Sequence, residues 1–229
     1  QVTALYNERL CQSCTTTDVN YQGTNEIVLR LDGDFSDTSA NAHAITTVGT
    51  PTFGTGKFDL AAVLNGTTDG ISAPIGVFNV GAAYSVSMWV KPDAFGQILF
   101  ENIGSGGTSL INQGLAYIFN STTISIYWIN GAGGVGLSRR VATFPALTVG
   151  EWAHIVLIYD QASSTVYVNG TEASMTSGAA TTATPGGTTQ FGYGDAGPAF
   201  FDGSMDQIRG FNTALTATQV SNLYLELNC

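Results

Sequence analysis

The sequence predicts an all-β protein, two antiparallel sheets packed face to face, and three observations carry that expectation. Short β-branched or alternating runs recur between Gly, Asn and Pro punctuation, charged residues make up only 10% of the chain, and 28 glycines are spread through it. Few charges argue against long helices laced with ion pairs, and short apolar runs bounded by turn residues argue for strands. The length suits a single domain, because a sandwich of roughly 200 residues commonly holds one core.

Taken in order, the strand candidates are EIVLRL, DLAAVLN, YSVSMWVKP, GQILFEN, LAYIFN, TISIYWIN, EWAHIVLIYD, STVYVNG, TQFGYG and FFDGSMDQIRGF. In YSVSMWVK, Tyr84, Val86, Met88 and Val90 fall on one side and Ser85, Ser87, Trp89 and Lys91 on the other. That is the pattern of a strand with one face on a core. Asn169-Gly170 supplies the positive φ angles of a type I′ hairpin. The one helix expected is the ending: Thr216 and Gln219 fit a capping box, and Val220, Leu223, Tyr224 and Leu227 recur at helical spacing. The glycine-rich stretches at 104–107 and 131–136 have no βαβ context, so they read as loops rather than phosphate cradles.

The chain opens on QVTALYNERLC and closes on QVSNLYLELNC. Such a match between start and end predicts one repeat of a tandem array. Residues 1–14 then read as the tail of a preceding copy, 15–24 as a linker and 25–229 as the domain. The three cysteines follow the same logic, Cys11 being the counterpart of Cys229. The preferred disulfide joins Cys14 to Cys229 and would restrict the unfolded chain by roughly 5 kcal/mol in the entropy model. Its rival is a local Cys11 to Cys14 bridge. A structural disulfide implies an oxidising setting: extracellular, on a cell surface or on a virion surface.

Charge narrows the partners. A formal net charge of −10, with seven Lys plus Arg and no basic cluster, disfavours nucleic acid and anionic membrane surfaces. No stretch approaches the roughly 20 apolar residues of a spanning helix, so no membrane insertion is expected.

The ordered series LRLDGDFSDTSANAH, GKFDLAAVLNG, YSVSMWVKP, GEWAHIVLIYD, TVYVNG and FDGSMDQIRGFNTALTATQVSNLY resembles the laminin G-like jelly roll of the concanavalin A-like lectin/glucanase superfamily. The resemblance covers roughly residues 25 to 226. It implies a two-sheet antiparallel jelly-roll sandwich with adjacent termini, and binding of glycans or proteins, often beside a calcium ion (Ca2+). Within it, Asp37 and Asn41 match the early loop and Asp206 the late strand that share calcium, Asn41 through its backbone carbonyl. Calcium takes roughly six to eight oxygen ligands, and DGDFSDTSAN and FDGSMD are rich in them. The same residues also cap turns.

Aromatic residues are the other candidate, since sugars lay their C–H faces on Trp and Tyr rings. Trp89 shares a face with Ser85, Ser87 and Lys91, and Tyr127 with Ser125; Tyr193, Phe200 and Phe201 flank a loop. Trp128, in line with Ile124 and Ile126, and Trp152, in line with His154, Val156 and Ile158, read as core. No aromatic is singled out as the ligand-binding one. Catalysis has less support: the E-x-D-x-x-E strand of this superfamily's hydrolases is absent, and neither His43 nor His154 has a nucleophile motif beside it. Three sequons, at Asn65, Asn120 and Asn169, are possible glycosylation sites. The expectation is therefore a non-catalytic recognition module for a glycan or surface protein, one unit of a tandem-repeat attachment protein packed against neighbouring repeats. The alternatives are a structural spacer and a carbohydrate-active enzyme.

Overall fold

A computed structural model describes residues 25–74, 77–78, 83–103, 114–129, 137–160, 163–176, 188–194 and 200–226. The opening half of the terminal match, the linker, both glycine-rich stretches, Leu227 and all three cysteines, including the Cys14 to Cys229 pair, lie outside these residues.

The first strands are β1 (Asn25–Leu29), β2 (Thr46–Val48), β3 (Thr52–Thr55), β4 (Leu60–Asn65) and β5 (Gly70–Ala73). The long central ones follow as β6 (Tyr84–Pro92), β7 (Gln97–Ile103), β8 (Gly114–Phe119), β9 (Thr123–Ile129), β10 (Leu137–Thr143) and β11 (Ala153–Tyr159). The chain ends through β12 (Thr165–Val168), β13 (Thr171–Glu172), β14 (Ser174–Met175), β15 (Thr188–Phe191), β16 (Asp202–Phe211) and the helix α1 (Ala217–Tyr224). All ten expected strands form. The strands not foreseen are β2, β3, β5, β10, β13 and β14, which are short or polar and take their shape from partners rather than from apolar alternation.

Two antiparallel sheets result. In the first the order is β13-β12-β11-β6-β16-β4-β3, with β1 paired to the second half of β16; in the second it is β14-β10-β9-β8-β7-β15-β5-β2. Their facing sides make one core in which Val86, Met88, Val90, Ile155 and Leu157 of the first sheet join Phe100, Phe119, Ile124, Ile126 and Phe191 of the second. The two-sided reading of β6 holds, since Tyr84, Val86, Met88 and Val90 all belong to this core. Burying such side chains stabilises the fold by about 1.5–3 kcal/mol each. At the β12–β13 hairpin, Asn169 and Gly170 have φ of 49° and 75°, as the turn type requires.

The outer face of the first sheet is where the helix lies. Thr216 caps α1 through a complete capping box with Gln219, and Val220 and Leu223 are buried against Val156, Ile158, Tyr167 and Phe211. A bulge in β16 between Asp206 and Arg209, with Gln207 at φ 47°, shifts the pairing so that Asp206 stands opposite Trp89 and Arg209 opposite Ser87. Without the extra residue one of these two charged side chains would point into the core.

Candidate functional site: an aromatic cleft beside the helix

Strand register builds the site in rows. His154 stands opposite Trp89, and Trp89 opposite Asp206, so the three share the outer face. Asn169 extends the row at the hairpin, its Oδ1 accepting a hydrogen bond from the His154 backbone N–H at 2.9 Å. The neighbouring row holds Tyr167, Val156, Ser87 and Arg209 and lies on the side of the helix. Where α1 ends, its cover stops, and a cleft of about 530 Å³ opens over Trp89.

Four aromatic rings shape this cleft, those of Phe58, Trp89, Trp152 and Tyr224. Tyr224, in the last turn of α1, stacks on Trp89 with centroids 5.8 Å apart and planes 26° from parallel; Trp152, half-buried just before β11, forms another wall. Phe58 meets Trp89 edge-on at 6.2 Å, presented by a turn in which Gly56 N–H donates to the Asp59 carbonyl and Asp59 takes a φ of 40°. Polar groups stand between the rings: Lys57 from the same turn, Asn169 from the hairpin and Glu226 beyond the helix. Glu226 is held by the Arg209 guanidinium, which reaches both its oxygens and also donates to Gln207 Oε1 at 3.1 Å. Flat aromatic surfaces with a few fixed polar groups can take the two sides of a sugar ring, apolar C–H and hydroxyl.

Two buried titratable groups underlie the cleft. His154 is 1% exposed; its Nε2 lies 2.8 Å from Ser87 Oγ and its Nδ1 has no partner. Burial, reinforced by the positive charges of Arg209 and Lys57, pushes its pKa down to about 3, so the ring is neutral. Asp206 is fully buried, and burial, opposed by the Phe58 N–H but aided by the charge of Asp32, pushes its carboxyl up to about 7. Its Oδ2 accepts from Phe58 N–H at 2.9 Å, while Oδ1 has no partner.

The residues expected to share calcium divide in two. Asp37 accepts four hydrogen bonds of 2.9 Å, from the N–H groups of Val28, Ser39 and His43 and from Ser39 Oγ, and thereby ties its own loop to β1. The Asn41 side chain donates to the carbonyl and carboxylate of Glu26. Among the described residues no three His, Cys, Asp or Glu side chains converge as a metal centre. Asp206 leaves its Oδ1 unpartnered, with Asp32 nearby, whose own carboxyl is raised by desolvation.

The other sequence-derived candidates scatter. Tyr127 lies on the outer face of the second sheet with Arg139 5.7 Å above its ring, and Arg139 also donates to Ser125 Oγ. Tyr193 stacks on Phe200 at 6.0 Å, whereas Phe201 is core. The side chain of Trp128 lies outside the described residues. Trp152 is the correction: it lines the cleft, because the core side of β11 carries Ala153, Ile155 and Leu157. Of the sequon asparagines, Asn65 Oδ1 caps its own turn through Thr67 and Thr68 N–H, Asn120 Nδ2 reaches Thr123 Oγ1, and Asn169 Oδ1 is taken by His154 N–H. Lys57, Phe58, Tyr224 and Glu226 went unforeseen as site residues. The parity of Trp89 and Lys91 in β6 is the signal that pointed toward this face.

Two antiparallel sheets packed face to face, with a helix on one outer face, form a laminin G-like jelly roll. The chain belongs to the concanavalin A-like lectin/glucanases superfamily, whose family model matches residues 65–221. No curated protein sequence matches the chain significantly. Among solved structures, domain 4 of AbnA, a GH43 extracellular arabinanase from Geobacillus stearothermophilus, in complex with arabinotriose, is 25% identical; the match covers 88% of this chain and 98% of that one, with a TM-score of 0.67. The binding domains of botulinum neurotoxin serotype G and of Paraclostridial Mosquitocidal Protein 1 each reach a TM-score of 0.67 at 14% and 15% identity. The match covers 87% and 88% of this chain but only 50% and 52% of those domains, so the chain spans about half their length. They share its fold. Among the described residues, no helix is long and apolar enough to cross a membrane.

Proposed function

We propose that this domain is a non-catalytic carbohydrate-recognition module of an extracellular or particle-surface protein, and that the glycan lies in the cleft of Trp89, Trp152 and Tyr224. The observation that carries the reading is that cleft: four rings, Phe58, Trp89, Trp152 and Tyr224, from four separate segments, interleaved with Lys57, Asn169 and Glu226. The similarity to a domain solved with arabinotriose supports it, the match being nearly complete on that side. The likeness of opening and closing segments supports a tandem array, in which several weak sites gain avidity through effective concentration. Calcium belongs to the same proposal. Asp206 and Asp32 would hold it, and the ion would lock the Lys57–Leu60 turn that forms one wall, since Asp206 accepts from Phe58 N–H and Asp32 from Leu60 N–H.

A glycan array probed with and without a chelator tests both parts. The wild type is expected to give hits that weaken on chelation, and Trp152→Ala to lose them while melting within a few degrees of the wild type. Hits that persist in Trp152→Ala would remove the cleft from the proposal, and hits indifferent to chelator would remove calcium.

A further inference from the structure

We infer that the cleft is built for an anionic glycan, a saccharide bearing a carboxylate or sulfate, and that Lys57 and Lys91 are the residues that read its charge. The inference rests on the glycan-binding reading above and sharpens it.

The chain contains two lysines in all, against a formal net charge of −10. Both stand at cleft tryptophans: Lys57 Nζ is 4.4 Å from the ring centroid of Trp89, and Lys91 Nζ is 5.5 Å from that of Trp152. They come from separate elements, the Gly56–Leu60 turn and strand β6, so local sequence bias does not bring them together. Among the described residues neither has a carboxylate at ion-pair distance. Three of the described arginines contrast with them, being spent within the fold: Arg139 on Ser125 Oγ, Arg140 on the carbonyls of Thr176 and Ser164, Arg209 on Glu226.

Two of the acids near the cleft are withdrawn from these cations. Glu226 is neutralised by Arg209, and Asp206 is buried beneath the rings. The surrounding charges that bear on His154, at the cleft floor, are Arg209 and Lys57, both positive. A strongly acidic chain therefore keeps both of its lysines at one aromatic surface. An ammonium over an indole is held by a weak attraction, whereas a charge-assisted hydrogen bond to a carboxylate or sulfate is stronger. An acidic sugar would thus take the ammonium groups with its charged group and lay its C–H face against Trp152, the half-buried ring that Lys91 covers, with Trp89, 5% exposed beneath Tyr224, as the floor.

Calorimetric titration of the intact chain with acidic and neutral saccharides decides this: trigalacturonate and sialyllactose against arabinotriose and lactose. The expected result is binding of an acidic saccharide about tenfold or more tighter than its neutral counterpart. That preference should vanish in the Lys57→Gln, Lys91→Gln double variant and return in Lys57→Arg, Lys91→Arg, which keeps the charge. Neutral sugars bound as tightly as acidic ones would overturn the inference and leave the glycan reading intact. An acidic preference that survives the glutamine variant would take the role from the lysines, and silence toward every saccharide here and on the array would end both readings.

Discussion

The outer face of the first sheet is finished in two ways along the same strands. One row, Tyr167, Val156, Ser87 and Arg209, lies on the side roofed by α1, where Val220 and Leu223 seal a small apolar cluster. Two residues further along, the row of Asn169, His154, Trp89 and Asp206 meets the cleft instead. The strands are the same, and so is the pleat. What differs is the length of the helix: α1 ends at Tyr224, whose ring stacks on Trp89 as both the last piece of the roof and the first wall of the cleft. A sandwich needs only its inner face for a core, so its outer face is free to be sealed or to be offered, and here the boundary falls within two residues along the strand.

The sharpest way to break that contrast is to remove the roof. Leu223 is 1% exposed, and Leu223→Ala should cost about 2–5 kcal/mol, the usual range for opening a buried cavity. Urea denaturation reads this directly. Glycan binding by the protein that remains folded is expected to change little, because Leu223 faces Val156 and Phe211 rather than the cleft. A loss of binding as steep as the loss of stability would show that the two halves are one unit.

The second test separates the rows by their titration. His154 has its pKa pushed down to about 3 by burial and by the charges of Arg209 and Lys57, against an ordinary value near 6.5. The folded state therefore binds this proton less readily than the unfolded chain. Its contribution to stability is present above pH 6.5 and is lost as pH falls toward 3, at up to about 1.4 kcal/mol per pH unit. His154→Gln should flatten this part of the stability profile, measured as the urea midpoint between pH 7 and pH 4. Parallel profiles for variant and wild type would mean that His154 is hydrated and that the cleft floor is wet.

Much of this architecture was legible in the sequence. Period-two alternation in YSVSMWVKP named the core face of β6 residue by residue, and Thr216 with Gln219 named the helix start, because each is a local rule with a local cause. The site was legible only in part. Trp89 and Lys91 were visible as an outward face, but Trp152 was read with Val156 and Ile158 as core, since periodicity groups residues on one face without saying which element will cover it. Lys57 and Phe58 join the cleft through a turn that packs beside Trp89 across the sheet, and Tyr224 and Glu226 through the place where a helix stops. Such long-range placement leaves no mark in a short window. The acids show the same division: Asp37, read as a metal ligand by resemblance, has its oxygens occupied by a local turn, whereas the unpartnered oxygen of Asp206 depends on a bulge in β16.

The smallest expected effect tests whether the sealed half positions the open one. Thr216 accepts from Gln219 N–H at 3.3 Å while Gln219 Oε1 accepts from Thr216 N–H at 2.8 Å, so Thr216→Ala removes half of the capping box. The cost should be about 1 kcal/mol, seen as a modest drop in melting temperature. Because Thr216 lies at the far end of α1 from Tyr224, the substitution touches no cleft residue. If the helix acts as a rigid strut, tilting or fraying its start will displace Tyr224 from Trp89, and glycan affinity will fall more than the residual folded fraction explains. If affinity per folded molecule is unchanged, Tyr224 is held by its own stacking on Trp89 and His154, and the cleft is independent of the roof beyond its last turn. We expect the second outcome, since Val220 and Leu223 anchor the helix along its middle and should confine fraying to the first turn.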